Sequence, residues 1–393
     1  MVGNFSFAFN KLLISGAGSL FDLKRYIPMA GGRVGLITAP SFLNHENGTK
    51  YINRLKEYGF ETLSFTVHGE PTPETVNRIT DELKNIEIDI IIAVGGGSVL
   101  DAGKAVSAMV PVDGRVEDYL EGIGDRSPTG AKIPFIAIPT TSGTGSEATM
   151  NGVISRKGPS GFKKSIRHPN YIPDAAVLDP TLITSCPATL TAACGMDAFS
   201  QLLESFVSSK ASPASDLLAW DGLTRFVSSF DLLMGDLENP ELRAGISLAS
   251  YYSGLTLANA GLGVVHGLAG PLGGFSEIPH GAACGTLLYD AFRMTLNKIR
   301  VAGSERGGAA GQALDKMARL GSHIEGRILS PGDGCDRLLE MLKGWNEKYK
   351  MPRLSDYGFT GSDLDKTAGA GGSKNHPVAF SHEEMIELLQ CRL

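Results

Sequence analysis

Residues 89–98 read DIIIAVGGGS, a run from Asp89 to Val94 that enters three glycines and a serine and then a helical stretch from Val99 to Met109. The apolar run from Ile90 to Val94 has no polar face to turn to water. It suits a strand covered on both sides, as strands of parallel sheets are. Glycines between such a strand and a helix let backbone N–H groups approach a phosphate, and the helix N-terminus adds a partial positive charge. Three glycines alone also fit a tight strand–helix turn without a ligand. Either way, this junction commits the first part of the chain to an open α/β sheet.

The neighbouring segments repeat the alternation. Val34–Thr38 reads as a buried strand, with a helix following over Gly48–Tyr58. Thr62–Val67 reads as another strand, and after the turn HGEPTP a helix begins with Thr72 as its cap and Pro73 in its first turn. Phe135–Pro139 is a further strand and ends in the polar loop from Thr140 to Ser146, a second candidate phosphate loop. Strands alternating with helices imply a parallel sheet with right-handed crossovers. From about Ser185 the pattern changes, and windows such as Leu190–Ser208 and Asp336–Tyr349 carry apolar residues at helical spacing. The expected division is a Rossmann-like α/β domain over 1–184 and an all-helical domain over 185–393. Asp101 and Lys104, three apart on a helix, read as a local surface pair, and Ala368–Ser373 as a loose loop.

Charge and cysteine usage exclude several classes. The 393 residues carry a formal net charge of −6 and no basic run, which gives no footprint for nucleic acid. No apolar run approaches the ~20 residues that cross a bilayer, and the N-terminus lacks the pattern of a signal peptide. The five cysteines are scattered with no CxxC pair. That argues against a disulfide framework and a cysteine-based zinc site, and fits a reducing cytoplasm.

Five blocks, GGGSVLDAGKA (Gly95–Ala105), IPTTSGTGSE (Ile138–Glu147), LDPTLITSCP (Leu178–Pro187), GMDAF (Gly195–Phe199) and IPHGAACG (Ile278–Gly285), follow one another in an order and spacing that resemble the iron-dependent alcohol dehydrogenases. The resemblance covers essentially the whole chain. It implies a dinucleotide-binding N-terminal domain, a helical C-terminal domain of the dehydroquinate synthase-like kind, a cleft between them, and a homo-oligomer. It further implies that Gly96, Gly97, Ser98, Thr140, Thr141 and Thr144 line NAD or NADP, with Lys163 reaching it from the following segment.

The resemblance also implies one divalent ion, Fe²⁺ or Zn²⁺, held by an Asp, a His four residues later and two further histidines. Asp197, His266 and His280 match three of these, and all three are expected to act in catalysis. The remaining position is Gln201, on the same helix face as Asp197. An amide oxygen preserves the charge but is a poorer partner than imidazole for these metals. Gln201 is therefore either the fourth ligand of a weakened site or a hydrogen-bonding residue beside one that holds no ion. A second departure is Gly270, where the family commonly carries a histidine suited to proton relay. A third is Ala39, where NAD-preferring members place an Asp against the ribose hydroxyls. Without that carboxylate a 2′-phosphate is not repelled, and no Lys or Arg stands beside it to attract one. The other histidines (His45, His68, His168, His323, His376 and His382) read as surface or structural.

The expected activity is reversible hydride transfer between the nicotinamide and a small alcohol or its aldehyde or ketone, at the metal site. The alternative enzyme is a metal-independent carbonyl reductase resembling maleylacetate reductase. A catalytically dead nucleotide-binding protein is the third reading, and intact cofactor loops and histidines argue against it.

Overall fold

The computed structural model describes residues 4–27, 31–157, 161–301 and 308–393. The chain divides into two compact units, one formed by residues 8–186 and 237–251, the other by residues 4–7, 187–236 and 252–393.

The first unit contains the strands β1 (Leu12–Ser15), β2 (Gly32–Thr38), β3 (Phe60–Thr66), β4 (Ile90–Gly95), β5 (Phe135–Pro139), β6 (Asn151–Arg156), β7 (Phe162–Arg167) and β8 (Ala175–Leu178). Six of them form a sheet in the order β1-β8-β5-β4-β2-β3, in which every pairing is parallel; β6 and β7 form a separate antiparallel hairpin. Helices α1 (Pro40–Leu43), α2 (Glu46–Glu57), α3 (Pro73–Lys84) and α4 (Gly97–Met109) lie between strands. Thr72 caps α3 by accepting the Thr75 amide, with Pro73 in the first turn.

Alternation along each strand sends side chains to two cores. Ile91 and Ala93 of β4 join Ile79 and Leu83 of α3 and Val99 and Val106 of α4 on one side. Ile90, Ile92 and Val94 join Tyr51 and Leu55 of α2 on the other. Both faces of β4 are dry, which is why its sequence reads as one apolar run.

The second unit is helical: α5 (Ala188–Val207), α6 (Pro213–Gly235), the C-terminal part of α7 (Pro240–Ala260), α8 (Val264–Phe275), α9 (His280–Val301), α10 (Ala309–Glu325), α11 (Pro331–Lys348), α12 (Leu364–Ala370) and α13 (His382–Gln390). Phe199 of α5 meets Phe226 of α6 and Trp345 of α11 at ring-centroid distances of 5.2 and 5.0 Å. That aromatic contact fixes which face of α5 is free to carry polar groups.

Two expectations are corrected. Ala368–Ser373 is not simply a loose loop, because its first three residues close α12, where Thr367 and Ala368 are buried. Lys104 is not a surface residue. It is 1% exposed, and its ammonium donates to Ser146 O (2.9 Å), Thr149 Oγ1 (2.8 Å) and Asn151 O (2.8 Å). Burial lowers its pKa to about 8, against the pull of Asp101 and Glu147. The i,i+3 spacing suggested an exposed pair, but α4 is packed between the sheet and the loop after β5.

Candidate cofactor loops and metal centre

The glycine junction and the loop after β5 meet in the α/β unit. Thr140 N donates to Gly95 O at 3.0 Å, which holds the start of the loop against the end of β4. Gly96 is the extended N-cap of α4 and provides no side-chain cap, so the first amides of the helix are left to other partners. A Cβ at Gly96 would lie 3.4 Å from Oγ1 of Thr141, and one at Gly97 would lie only 2.6 Å from Oγ1 of Thr144. The geometry thus gathers Gly96, Gly97, Thr140, Thr141 and Thr144 at the C-terminal ends of two adjacent strands. Ser98 follows in the first turn of α4. Lys163, on β7, pairs its ammonium with Glu70. Ala39 directly follows β2 and is the half-buried N-cap of α1.

The second constellation lies wholly in the helical unit. Asp197, Gln201 and Glu204 fall at i, i+4 and i+7 on α5 and share one face, and each is at most 2% exposed. His266 stands in the first turn of α8, and His280 and Cys284 stand four apart at the start of α9. Gly281 lets α9 come this close to α5, since a Cβ there would fall 2.3 Å from Ala193 O. Nε2 of His266 is 3.2 Å from Asp197 Oδ1, and Nε2 of His280 is 3.9 Å from the same oxygen. Ligand atoms of Asp197, His266, His280 and Cys284 all lie within 4.8 Å of one another.

The electrostatics suit a cation. Burial raises the free energy of the Asp197 carboxylate, but His280 and His266 outweigh this and hold its pKa below the usual range. Burial likewise opposes a charge on His266, yet Cys284, Asp197 and Glu204 raise its pKa well above the ordinary imidazole value. A group of this kind that attracts a proton so strongly is one that would also attract a metal ion.

Gln201 is in the cluster, but its amide is engaged: Nε2 donates to Asp197 Oδ1 at 3.2 Å, and Oε1 accepts from Ser253 Oγ at 2.7 Å. Gly270, one turn beyond His266, faces open space, with no described atom outside its own stretch of helix within 4 Å of where a Cβ would be. Two members of the constellation escaped the sequence reading. Cys284 carried a signal, its spacing of four from His280, that a search for paired cysteines passes over. Glu204 carried none beyond sharing a helix face with Asp197. It accepts Val265 N at 2.8 Å and lies 2.6 Å from Nδ1 of His266.

With both arrangements in view, comparison with known proteins gives one answer. The profile of iron-containing alcohol dehydrogenases matches residues 10–180, and that of the C-terminal part of Fe-containing alcohol dehydrogenases matches residues 191–393. The probable alcohol dehydrogenase EutG of Escherichia coli (strain K12) is 32% identical over 389 residues, 98% of this chain and 93% of that protein. Long-chain-alcohol dehydrogenase 1 of Geobacillus thermodenitrificans (strain NG80-2) is 35% identical over 275 residues, 70% of this chain and 69% of that protein. The crystal structure of a 1,3-propanediol oxidoreductase superposes with a TM-score of 0.88 at 25% identity, covering 100% of both chains. The chain belongs to the iron-containing alcohol dehydrogenase family. It has that family's fold and is an NAD(P)-dependent alcohol oxidoreductase; the family uses a divalent metal, and Asp197, His266, His280 and Cys284 form a possible site for one.

Proposed function

We propose that the chain moves hydride reversibly between C4 of the nicotinamide and the carbinol carbon of a small alcohol, with a divalent ion held by Asp197, His266 and His280. The observation that carries this reading is the convergence of one carboxylate oxygen and two imidazole Nε2 atoms in a buried cluster. When bound, Fe²⁺ or Zn²⁺ would act as a Lewis acid toward the substrate oxygen. Asp197 supplies anionic charge to the site. Glu204 accepts the Nδ1–H of His266, so Nε2 is the nitrogen that would turn its lone pair to the ion. The donor set fits the group: oxygen and nitrogen ligands of this kind suit both metals.

Gly96, Gly97, Ser98, Thr140, Thr141 and Thr144 are assigned to the cofactor phosphates, where bare α4 amides and threonine hydroxyls serve an anion. Lys163 is assigned to the cofactor as well and shares its charge with Glu70. Ala39, lacking a carboxylate, accepts NADP as well as NAD. Open space at Gly270 supports a substrate larger than the family's relay histidine would admit. The enzyme is placed in the cytoplasm as a homo-oligomer, without nucleic acid or membrane. Five free cysteines suit a reducing compartment, and among the described residues no single helix is long and apolar enough to cross a membrane.

The test is steady-state turnover of a panel of alcohols and aldehydes with NAD(H) and NADP(H), on stripped protein and on protein reloaded with Fe²⁺ or Zn²⁺. Turnover restored by metal is expected. Equal rates in stripped protein would replace this reading with the metal-independent carbonyl reductase, and no turnover in any state with a non-enzymatic nucleotide binder.

A further inference from the structure

The family's fourth ligand position is Gln201, and the surroundings of that side chain direct its one good donor elsewhere. Its amide oxygen accepts from Ser253 Oγ at 2.7 Å, and its amide nitrogen, which has no lone pair to offer a cation, is the end turned to Asp197. Reversing the amide would set two oxygens, Oε1 of Gln201 and Oδ1 of Asp197, against each other. The observed orientation satisfies both neighbours.

Cys284 has the opposite disposition. It is buried on the same face of α9 as His280, and its Sγ lies 3.5 Å from Nε2 of His266 and 3.8 Å from Nε2 of His280. Bonds of 2.0–2.3 Å at a tetrahedral angle require ligand atoms about 3.3–3.6 Å apart. The separations here are 3.2 Å (His266 to Asp197), 3.9 Å (His280 to Asp197), 3.5 Å (Cys284 to His266) and 3.8 Å (Cys284 to His280). These are four edges of one tetrahedron, within a few tenths of an ångström.

We propose that Cys284, and not Gln201, is the fourth protein ligand, giving a site of one carboxylate, two imidazoles and one thiolate. The inference rests on the reading that Asp197, His266 and His280 hold the ion. Binding releases the thiol proton, because the ligand is the thiolate. Two anionic ligands then cancel the charge of a divalent ion, whereas the family's single carboxylate leaves it net positive. The sulfur also makes the site softer, which favours Zn²⁺ or Co²⁺ over Mg²⁺ or Mn²⁺. Gln201 becomes a positioning residue that fixes Asp197 through its amide N–H.

The experiment is cobalt loading of stripped full-length protein, read by absorption and by metal stoichiometry. Wild type and Gln201→Ala are expected to show a near-ultraviolet sulfur-to-cobalt charge-transfer band. Cys284→Ala and the near-isosteric Cys284→Ser are expected to lose it and to hold cobalt at least about 10-fold more weakly. Circular dichroism of the serine variant checks that the fold is kept. A band that persists in both Cys284 variants, or stoichiometric cobalt without a band in wild type, would overturn the cysteine assignment and leave the three-residue site standing. Wild type that binds no cobalt would overturn both.

Discussion

Glu204 Oε2 lies 2.6 Å from Nδ1 of His266, and the same carboxylate accepts the backbone amides of Val265 at 2.8 Å and His266 at 3.4 Å. One buried side chain of α5 therefore does two things for α8. It satisfies amides that Gly263 leaves uncapped, where the helix dipole favours an anion, and it orients the imidazole that faces Asp197.

Glu204→Gln tests that coupling. The amide keeps one acceptor but turns an N–H toward either the α8 amides or His266. Metal retention is expected to fall about 10–100-fold, the usual consequence of losing a ligand's supporting partner. Competition with a chromophoric chelator measures it. Unchanged retention would mean that His266 is held by α8 alone.

Gly96→Ala probes the phosphate loop with little strain. Its Cβ would make a contact of 3.4 Å with Thr141, whereas a side chain at Gly97 would collide with Thr144 at 2.6 Å. Folding is expected to suffer by only about 0.5–1 kcal/mol, since alanine is a poorer N-cap than glycine. NAD(P)H affinity is expected to fall about 10-fold or more through crowding of the pyrophosphate. Fluorescence titration decides, and full affinity in a folded variant would remove Gly96 from the site.

Ala39→Asp addresses cofactor choice. The residue follows β2 and caps α1 in extended conformation, so an aspartate fits the backbone and improves the cap. A new acceptor for the ribose hydroxyls and repulsion of a 2′-phosphate together are worth roughly 1.5–3 kcal/mol, or about 10–150-fold in the NADH/NADPH ratio of kcat/KM. A ratio that stays put would place the ribose elsewhere.

His376 predicts an acid limb in stability. Thr295 Oγ1 donates to Ala291 O, so His376 Nε2–H donates to Thr295 at 2.7 Å, and Nδ1 faces the amide of Val264 at 3.5 Å. Protonating Nδ1 would set N–H against N–H. Burial lowers the pKa to about 4, against about 6.5 when unfolded. Above pH 6.5 both states are neutral and the residue contributes no pH dependence. As pH falls from 6.5 toward 4 the unfolded chain takes a proton that the folded chain refuses, and up to about 3 kcal/mol of stability is lost. Urea midpoints across that window should fall less steeply in His376→Gln. Parallel curves would contradict the assignment.

What the sequence disclosed followed the strength of the local signal. β4 and β5 are dry on both faces, so their composition announced them, as did the Thr72-Pro73 start of α3. β1 and β8 are four residues long, too short for a pattern to form. The β6–β7 hairpin is only partly buried and carries Lys163, Lys164 and Arg167, which dilute any apolar run. At the metal centre the spacing of Asp197 and Gln201 on one helix was readable. The partners that decide what each does were not, because Ser253 and His266 come from distant stretches of the chain.

Gln201 and Cys284 compete for the fourth position of the metal centre. Gln201→His restores the family's imidazole, and Ser253, which now donates to Oε1, can accept the new imidazole N–H instead. If Cys284 already occupies the fourth position, the single substitution supplies a surplus ligand and metal affinity should change less than about 10-fold. In a Cys284→Ala background the same substitution should recover the roughly 10–100-fold lost with the thiolate, now with an all-nitrogen-and-oxygen site. The cobalt spectrum of this double variant should show no sulfur band although the metal is tightly held. Strong coupling between the two positions is the signature of ligands that share one coordination sphere. Should Gln201→His alone raise affinity about 100-fold, the fourth position is open in the native protein and Cys284 lies beside the ion without binding it.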